Sequence, residues 1–283
     1  MRLRWDWLGP VMRAPYVPAL GPVHPGAVSA EVFEDVLAVA DSGRFLPYDK
    51  DRRWSATKDE RVLVDAIVHQ PDFTIVPTMS VRGGGLIKLH HYARHDPALA
   101  ELGKLGQALA HEHGAEAGHR IIWFSERPDH ARTRLMVKTF TDADEQAVAG
   151  VDELEDSAGA DTFGAFADEI GPEGFQFLCQ RMKAGHRDGP VLVTVADGRI
   201  IGAVGPLSVL PGPDRRMIQP PAYFAVHPAY RGRGHGRRLW RASMAWGWRS
   251  GAEAKVLQAS IGSAAERLYR TEGLETVGFL CQG

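Results

Sequence analysis

A chain of 283 residues, 44% hydrophobic and 24% charged, is long enough for one large or two ordinary domains and too apolar for wholesale disorder. Its 33 lysines and arginines against 35 aspartates and glutamates leave a net charge of −2, which argues against the basic field that general nucleic-acid binding needs. Cys179 and Cys281 are too few for a disulfide framework and point to a reduced, cytoplasmic protein, and no apolar run reaches the ~18 residues of a membrane span or has the form of a signal peptide.

Pro10, Pro15, Pro18, Pro22 and Pro25 predict an extended arm laid over a surface. Ser29 caps a predicted helix over 30–43, with Val32, Val36 and Val39 on its buried face and Gly43 as its stop. Thr57 and Glu60 have capping-box spacing for a second helix over 58–70. Residues 73–79 are rich in β-formers, and Gly83, Gly84 and Gly85 end the run. A strand over 86–92 follows. Asp96-Pro97 then opens a helix with Leu99, Leu102, Leu105 and Leu109 in phase, and 120–125 is a short buried strand. The polar stretch from Glu126 places a domain boundary near 130, giving α/β domains 1–130 and 131–283.

The second domain opens with a strand over 134–139, and Thr141 caps a helix. Residues 161–184 are helical, with Phe163, Phe166, Phe175 and Phe177 for packing. Two strands around Asp197-Gly198 form a hairpin, since Asp-Gly is a favoured two-residue turn. After a proline-rich loop at 206–221, Tyr223 to Val226 suits a buried strand, which Pro228 ends. RGRGHG at 231–236 leads into a helix with Leu239, Ala242 and Trp246 on one face and a stop at Gly251. A strand at 255–260, a helix from Ser263 that Gly273 stops, and a strand at 275–281 complete the chain.

The chemistry concentrates at 231–236. The first turn of a helix has backbone N–H groups without internal partners, and its dipole makes that end positive. Glycines allow a ligand close to those groups, and Arg231, Arg233, Arg237 and Arg238 add charge. The combination suits a phosphate or diphosphate. No Gly-Lys-Ser/Thr ending is present, so a Walker loop is excluded. Gly232, Gly234 and Gly236 are spaced two apart, which excludes the dinucleotide fingerprint.

The pattern R-x-x-G-x-G at Arg231, Gly234 and Gly236, after V-x-P at Val226 and Pro228, resembles the acyl-CoA loop of the GNAT superfamily of N-acetyltransferases. Ala265, Leu268, Tyr269 and Gly273 are similar to that family's A-x-x-L-Y helix and following glycine. The resemblance spans about 131–283 and implies a mixed α/β sheet, with acetyl-CoA or another acyl-CoA as co-substrate and no metal. It implies that the thioester sits between splayed strands at 222–226 and 255–260. Phe224, Ala225 and Val226 would pair with pantetheine amides. Arg231, Gly232, Arg233, Gly234, His235, Gly236 and Arg237 would hold the diphosphate, and Tyr269 would protonate the leaving thiolate. The family often has an asparagine where this chain has Gly262. The first half repeats the order of elements without an R-x-x-G-x-G, which fits a degenerate copy lacking a cofactor site.

Tyr223, His227, Glu169 and Glu173 are candidates for the base that takes the amine's proton. His90, His91, His95, His111 and His113 form metal-like clusters, but i and i+2 neighbours on a helix point apart, and surface histidines are the expectation. The resemblance implies direct acyl transfer to an amine, with a small molecule as the expected acceptor. The alternatives are a non-catalytic, regulatory acyl-CoA binder and a protein lysine acetyltransferase, whose acidic track would be Asp152, Glu153, Glu155 and Asp156. Only one strand's length remains after Gly273, so either the sheet is short by a strand or another segment completes it, from the first half or from a partner chain in a homodimer.

Overall fold

The computed structural model describes Tyr16–Val17, Gly21–Pro22 and residues 60–80, 84–171, 175–211 and 217–283. The predicted helix over 30–43, Thr57, Glu173 and most of the proline arm lie outside the described residues; within the arm, Tyr16–Val17 and Gly21–Pro22 form a two-residue antiparallel ladder. The elements of the first half are β1 (Glu60–Val62), β2 (Val68–His69), β3 (Phe73–Ser80), β4 (Leu86–Ala93), α1 (Leu99–Glu112) and β5 (His119–Ser125). Then come β6 (Ala131–Thr139), β7 (Asp152–Glu153), α2 (Phe163–Ile170), α3 (Phe175–Lys183), β8 (Leu192–Ala196) and β9 (Arg199–Gly205). The chain closes with β10 (Leu210–Pro211), β11 (Met217–Gln219), β12 (Tyr223–Val226), α4 (His235–Arg249), β13 (Ala254–Ser260), α5 (Ala264–Thr271) and β14 (Glu275–Gln282). Two compact units result, one of 1–137 with 256–283 and one of 138–255, so β6 and β13 each run from one unit into the other.

In the first unit, β4, α1 and β5 make a strand–helix–strand crossover whose strands pair in parallel, from Ile87↔His119 to His91↔Trp123. Leu102 and Leu109 of α1 pack on Ile75, Ile87, Leu89, Ile121 and Trp123. Gly106 permits the approach of helix to strand, because a Cβ there would stand 2.4 Å from the His119 ring. β3 and β4 pair antiparallel over their full length. β14 lies between β6 and β5, antiparallel to both. The apolar strand of the first half therefore completes the sheet beside the C-terminal strand.

Over 60–70, the described part of the helix predicted at 58–70, no helix of that kind forms. That stretch is β1, a 3-10 turn at Val64–Ala66 and β2. Glu60 is not spent on a helix N-terminus. Its carboxylate is buried, accepting from Thr78 Oγ1 on β3 and from Lys88 Nζ on β4 at 2.7 Å, with His90 Nε2 3.6 Å away. Burial opposes its ionisation, but His90 and Lys88 outweigh that and hold it well below the ordinary carboxylate range. These partners are cross-strand, so they fix an extended backbone at Glu60.

In the second unit, β12, β9, β8 and β7 form an antiparallel sheet in that order. Asp197 and Gly198 have φ of 50° and 74°, the left-handed pair that a tight hairpin turn needs. Phe163, Phe166, Phe175 and Leu178 of α2 and α3 cover Val191, Val193, Ile200 and Ala203. Leu239 and Ala242 of α4 pack on Leu192, Val204 and Leu207. Thr141 caps only a 3-10 turn, Asp142–Glu145, its N and Oγ1 both donating to Asp144 Oδ2. No helix among the described residues is long and apolar enough to cross a membrane.

Two lysines are buried among the described residues, and they differ. Lys88 is neutralised by Glu60, whereas Lys255 donates to Pro220 O at 2.6 Å and has no carboxylate partner among the described residues. Burial pulls the Lys255 ammonium down to about 7. Below that pH the folded chain carries an uncompensated buried charge. Between pH 7 and about 10.4 the unfolded chain holds a proton that the folded one lacks, so stability rises with pH across that window. Lys255→Met should therefore stabilise the protein by about 1–4 kcal/mol at pH 7 in chemical denaturation, with the gain shrinking toward pH 10. A gain independent of pH, or a loss, contradicts this account. Separately, deleting residues 1–130 strips β5 from β14 and opens an unprotected sheet edge. A fragment of 131–283 should be poorly soluble by size-exclusion chromatography; a stable monomer contradicts the expectation.

Candidate functional site

The site is built where the chain changes partners. β11 pairs in parallel with the start of β13, through Ile218↔Ala254 and Gln219↔Lys255. Pro220 and Pro221 follow, and neither has an N–H for a ladder. Three residues on, β12 is paired with β9 instead, from Tyr223↔Gly205 to Val226↔Gly202. Among the described residues β12 is the edge of its sheet and takes its ladder from β9.

Beyond β12 the backbone turns through a 3-10 turn at Pro228–Tyr230 and two left-handed glycines, Gly232 at φ 78° and Gly234 at φ 85°. Gly234 is the N-cap of α4. Side chains resist these dihedrals, which is why the spacing of glycines is legible in the sequence. The helical ladder begins with Arg238 N donating to Gly234 O at 3.1 Å, so the amides ahead of it lie outside that ladder. A Cβ on Gly232 or Gly234 would meet no atom within 4 Å, leaving an open face above the loop. Gly236 backs onto Phe224 and Val226, each 3.7 Å from where its Cβ would stand. The loop and the edge strand are thus brought together.

The charge at this corner is one-sided. No acidic residue stands in the first turn of α4. Arg231 Nε donates to Val226 O at 3.0 Å and ties the loop to β12, while Arg238 lies 3.0 Å from His235 Nδ1. Burial, then Arg238 and Arg233, pull the His235 imidazolium below its ordinary value. The same positive field that disfavours a proton on His235 favours an anion.

Tyr269 belongs to the other compact unit, on α5, and is buried. Burial holds its hydroxyl well above an ordinary phenol. Ser263 Oγ caps α5 by accepting from Glu266 N at 3.0 Å. Glu266 Oε2 accepts from Gly262 N at 2.6 Å, and its Oε1 from Arg134 Nε at 2.6 Å. The hydrogen bond with Arg134 is the main reason its carboxyl titrates low. Sequence reasoning missed Glu266, although Ser263 and Glu266 have the S-x-x-E spacing of a capping box.

Two candidate bases are committed elsewhere. His227 Nδ1 accepts from Ala229 N at 3.3 Å, which leaves Nε2 as the protonated nitrogen, 3.3 Å from Glu169 Oε2. Glu169 Oε1 accepts from Arg199 at 2.7 Å. Tyr223 packs its ring on Phe175. The histidines at 90 and 91, expected at the surface, are buried, and His91 meets the His95 ring edge-on at 5.7 Å. His90 and His91 point to opposite faces of β4, and burial first of all lowers His91 to about 4. Among the described residues no group of three or more His, Cys, Asp or Glu could hold a metal. Cys281 is buried, with its thiol pushed up to about 11, chiefly by that burial, and is a poor nucleophile. In the acidic track, Glu155 is paired with Arg187 at 2.8 Å.

Residues 151–273 match the family model for the acetyltransferase (GNAT) family, a span that runs from β7 through α5. No curated protein matches the chain. Among solved structures, a GCN5-related N-acetyltransferase from Sphaerobacter thermophilus is 15% identical, covering 92% of this chain and 86% of that one at a TM-score of 0.48. A GNAT-family acetyltransferase from Colwellia psychrerythraea is 11% identical, with coverage of 89% and 95% and a TM-score of 0.49. A tandem GNAT protein from the clavulanic acid biosynthesis pathway is 14% identical, with coverage of 88% and 91% and a TM-score of 0.47.

Proposed function

The C-terminal half of the chain belongs to the GNAT superfamily, and from that premise we propose that the protein is an acyl-CoA-dependent N-acetyltransferase acting on the amine of a small molecule. The observation that carries this reading is the loop at 231–236. It lies inside the family match, has the R-x-x-G-x-G pattern, and opens α4 with two left-handed glycines and no acid. The residues fit a diphosphate on chemical grounds: backbone amides outside the helical ladder, an open face and several arginines.

In this reading Arg231, Gly232, Arg233, Gly234, His235, Gly236 and Arg237 hold the diphosphate. Phe224, Ala225 and Val226, on the edge strand, take the pantetheine amides. The acceptor amine's nitrogen forms the new C–N bond as the thioester C–S bond breaks; the nitrogen loses a proton to water, and the departing thiolate takes one up and leaves as the free thiol of CoA. A phenol held well above its ordinary pKa keeps its proton, so Tyr269 serves the departing sulfur as a hydrogen-bond donor. Acetyl-CoA or another acyl-CoA is the co-substrate, and the chemistry requires no metal. One observation favours a second reading, a non-catalytic acyl-CoA binder: His227 and Glu169, two of the candidate bases, are both engaged with other partners.

Isothermal titration with acetyl-CoA, then a thiol-release screen against amines, separates these readings. Amine-dependent release supports the enzyme; binding without release supports the second reading; no binding overturns both. Arg231→Glu with Arg233→Glu should weaken acetyl-CoA binding by at least about tenfold, since each charge-assisted contact contributes roughly 1.5–3 kcal/mol. Unchanged affinity would remove the loop from the site. Tyr269→Phe should lower turnover by about 10²-fold and leave affinity nearly intact. Equal turnover in the variant means that Tyr269 is structural.

A further inference from the structure

Three residues converge on the ring of Tyr230. The His227 ring meets it edge-on at 5.8 Å and the His235 ring at 6.3 Å. The Arg233 guanidinium stands 5.5 Å over its face. His227 is itself held from behind, by Glu169 of α2 on one nitrogen and by Ala229 N on the other. Glu169 is anchored in turn by Arg199 of β9. A continuous line of contacts runs from the body of the second unit to the start of α4.

Arg233 is the member of this line that most needs support. It lies between Gly232 and Gly234, both left-handed, and is exposed. Its side chain makes no hydrogen bond or ion pair among the described residues, and its guanidinium lies over the Tyr230 ring. A long side chain that is free before binding loses rotamer freedom on binding, and a ring that holds it beforehand removes part of that cost.

We infer that Tyr230 is a positioning residue for the phosphate loop: its ring sets the Arg233 side chain beside the first-turn amides of α4, and Glu169 steadies the ring through His227. The inference rests on the acyl-CoA reading above and deepens it. Tyr230 acts through Arg233 and has no chemical step of its own. Its hydroxyl has no role in this arrangement, so phenylalanine should replace it, whereas an aliphatic side chain of similar bulk should not.

The test is a double-substitution cycle read by isothermal titration of acetyl-CoA, with thermal unfolding as a check on folding. Tyr230→Leu should weaken binding about three- to tenfold, and Tyr230→Phe should bind like the original. In an Arg233→Ala background, Tyr230→Leu should cause no further loss. Should Tyr230→Leu fail to fold, Glu169→Ala loosens the same stack from its far end and enters the same cycle. Losses that simply add, or a Tyr230→Phe variant as weak as Tyr230→Leu, overturn the positioning role while leaving the acyl-CoA reading intact. Failure of the unsubstituted protein to bind acetyl-CoA overturns that reading and the inference with it.

Discussion

Between the end of β12 and the start of α4 the chain has eight residues, 227–234, in which to reverse direction and present a helix N-terminus. It does so through two left-handed residues, Gly232 and Gly234. A Cβ at either would find space but not a comfortable backbone, so the constraint is on dihedrals and not on packing. Gly236 adds a second constraint of a different kind, a close approach to Phe224 and Val226. Together they bring the edge of β12 and the first turn of α4 into one corner. The arginines act on whatever enters that corner, but the glycines create it.

The first unit has the same sequence of strand, helix and strand without the same corner. β4 and β5 pair directly along five registers, whereas β12 takes its ladder from β9 and the start of β13 pairs with β11. α1 begins at Leu99 after Ala98, has no side-chain cap and carries Glu101 in its first turn. An acid there suits the helix dipole but repels a phosphate. The buried polar cluster of this unit lies toward the end of the sheet formed by β1, where Glu60, Thr78 and Lys88 satisfy one another across three strands. That cluster resists water and fixes the register of β1, which is a structural task.

What could be read from sequence divides along the range of the interactions. The Asp197-Gly198 hairpin and the loop at 231–236 were legible because a few adjacent residues set their dihedrals. α4 and α5 were legible because their periodicity is local, and their glycine stops hold. The helix expected over 58–70 failed because Glu60 finds its partners on β3 and β4, and no local window contains them. The pairing of β5 with β14 showed in the sequence only as a missing strand, since nothing near residue 283 names the partner. Tyr269 could be picked out by its motif, but its burial and the high value of its hydroxyl depend on the folded unit. The contacts of His227 with Glu169, and of Tyr230 with Arg233, are likewise tertiary.

The central claim is that an acyl-CoA binds the β12–α4 corner and not the corresponding element of the first unit. Amide hydrogen exchange with and without acetyl-CoA tests it directly, because the ligand is expected to occupy the backbone groups at issue. Exchange should slow in peptides covering 222–240 and stay unchanged in peptides covering 93–101. Slowing confined to 93–101, or no slowing at 222–240 at saturating acetyl-CoA, would contradict the account.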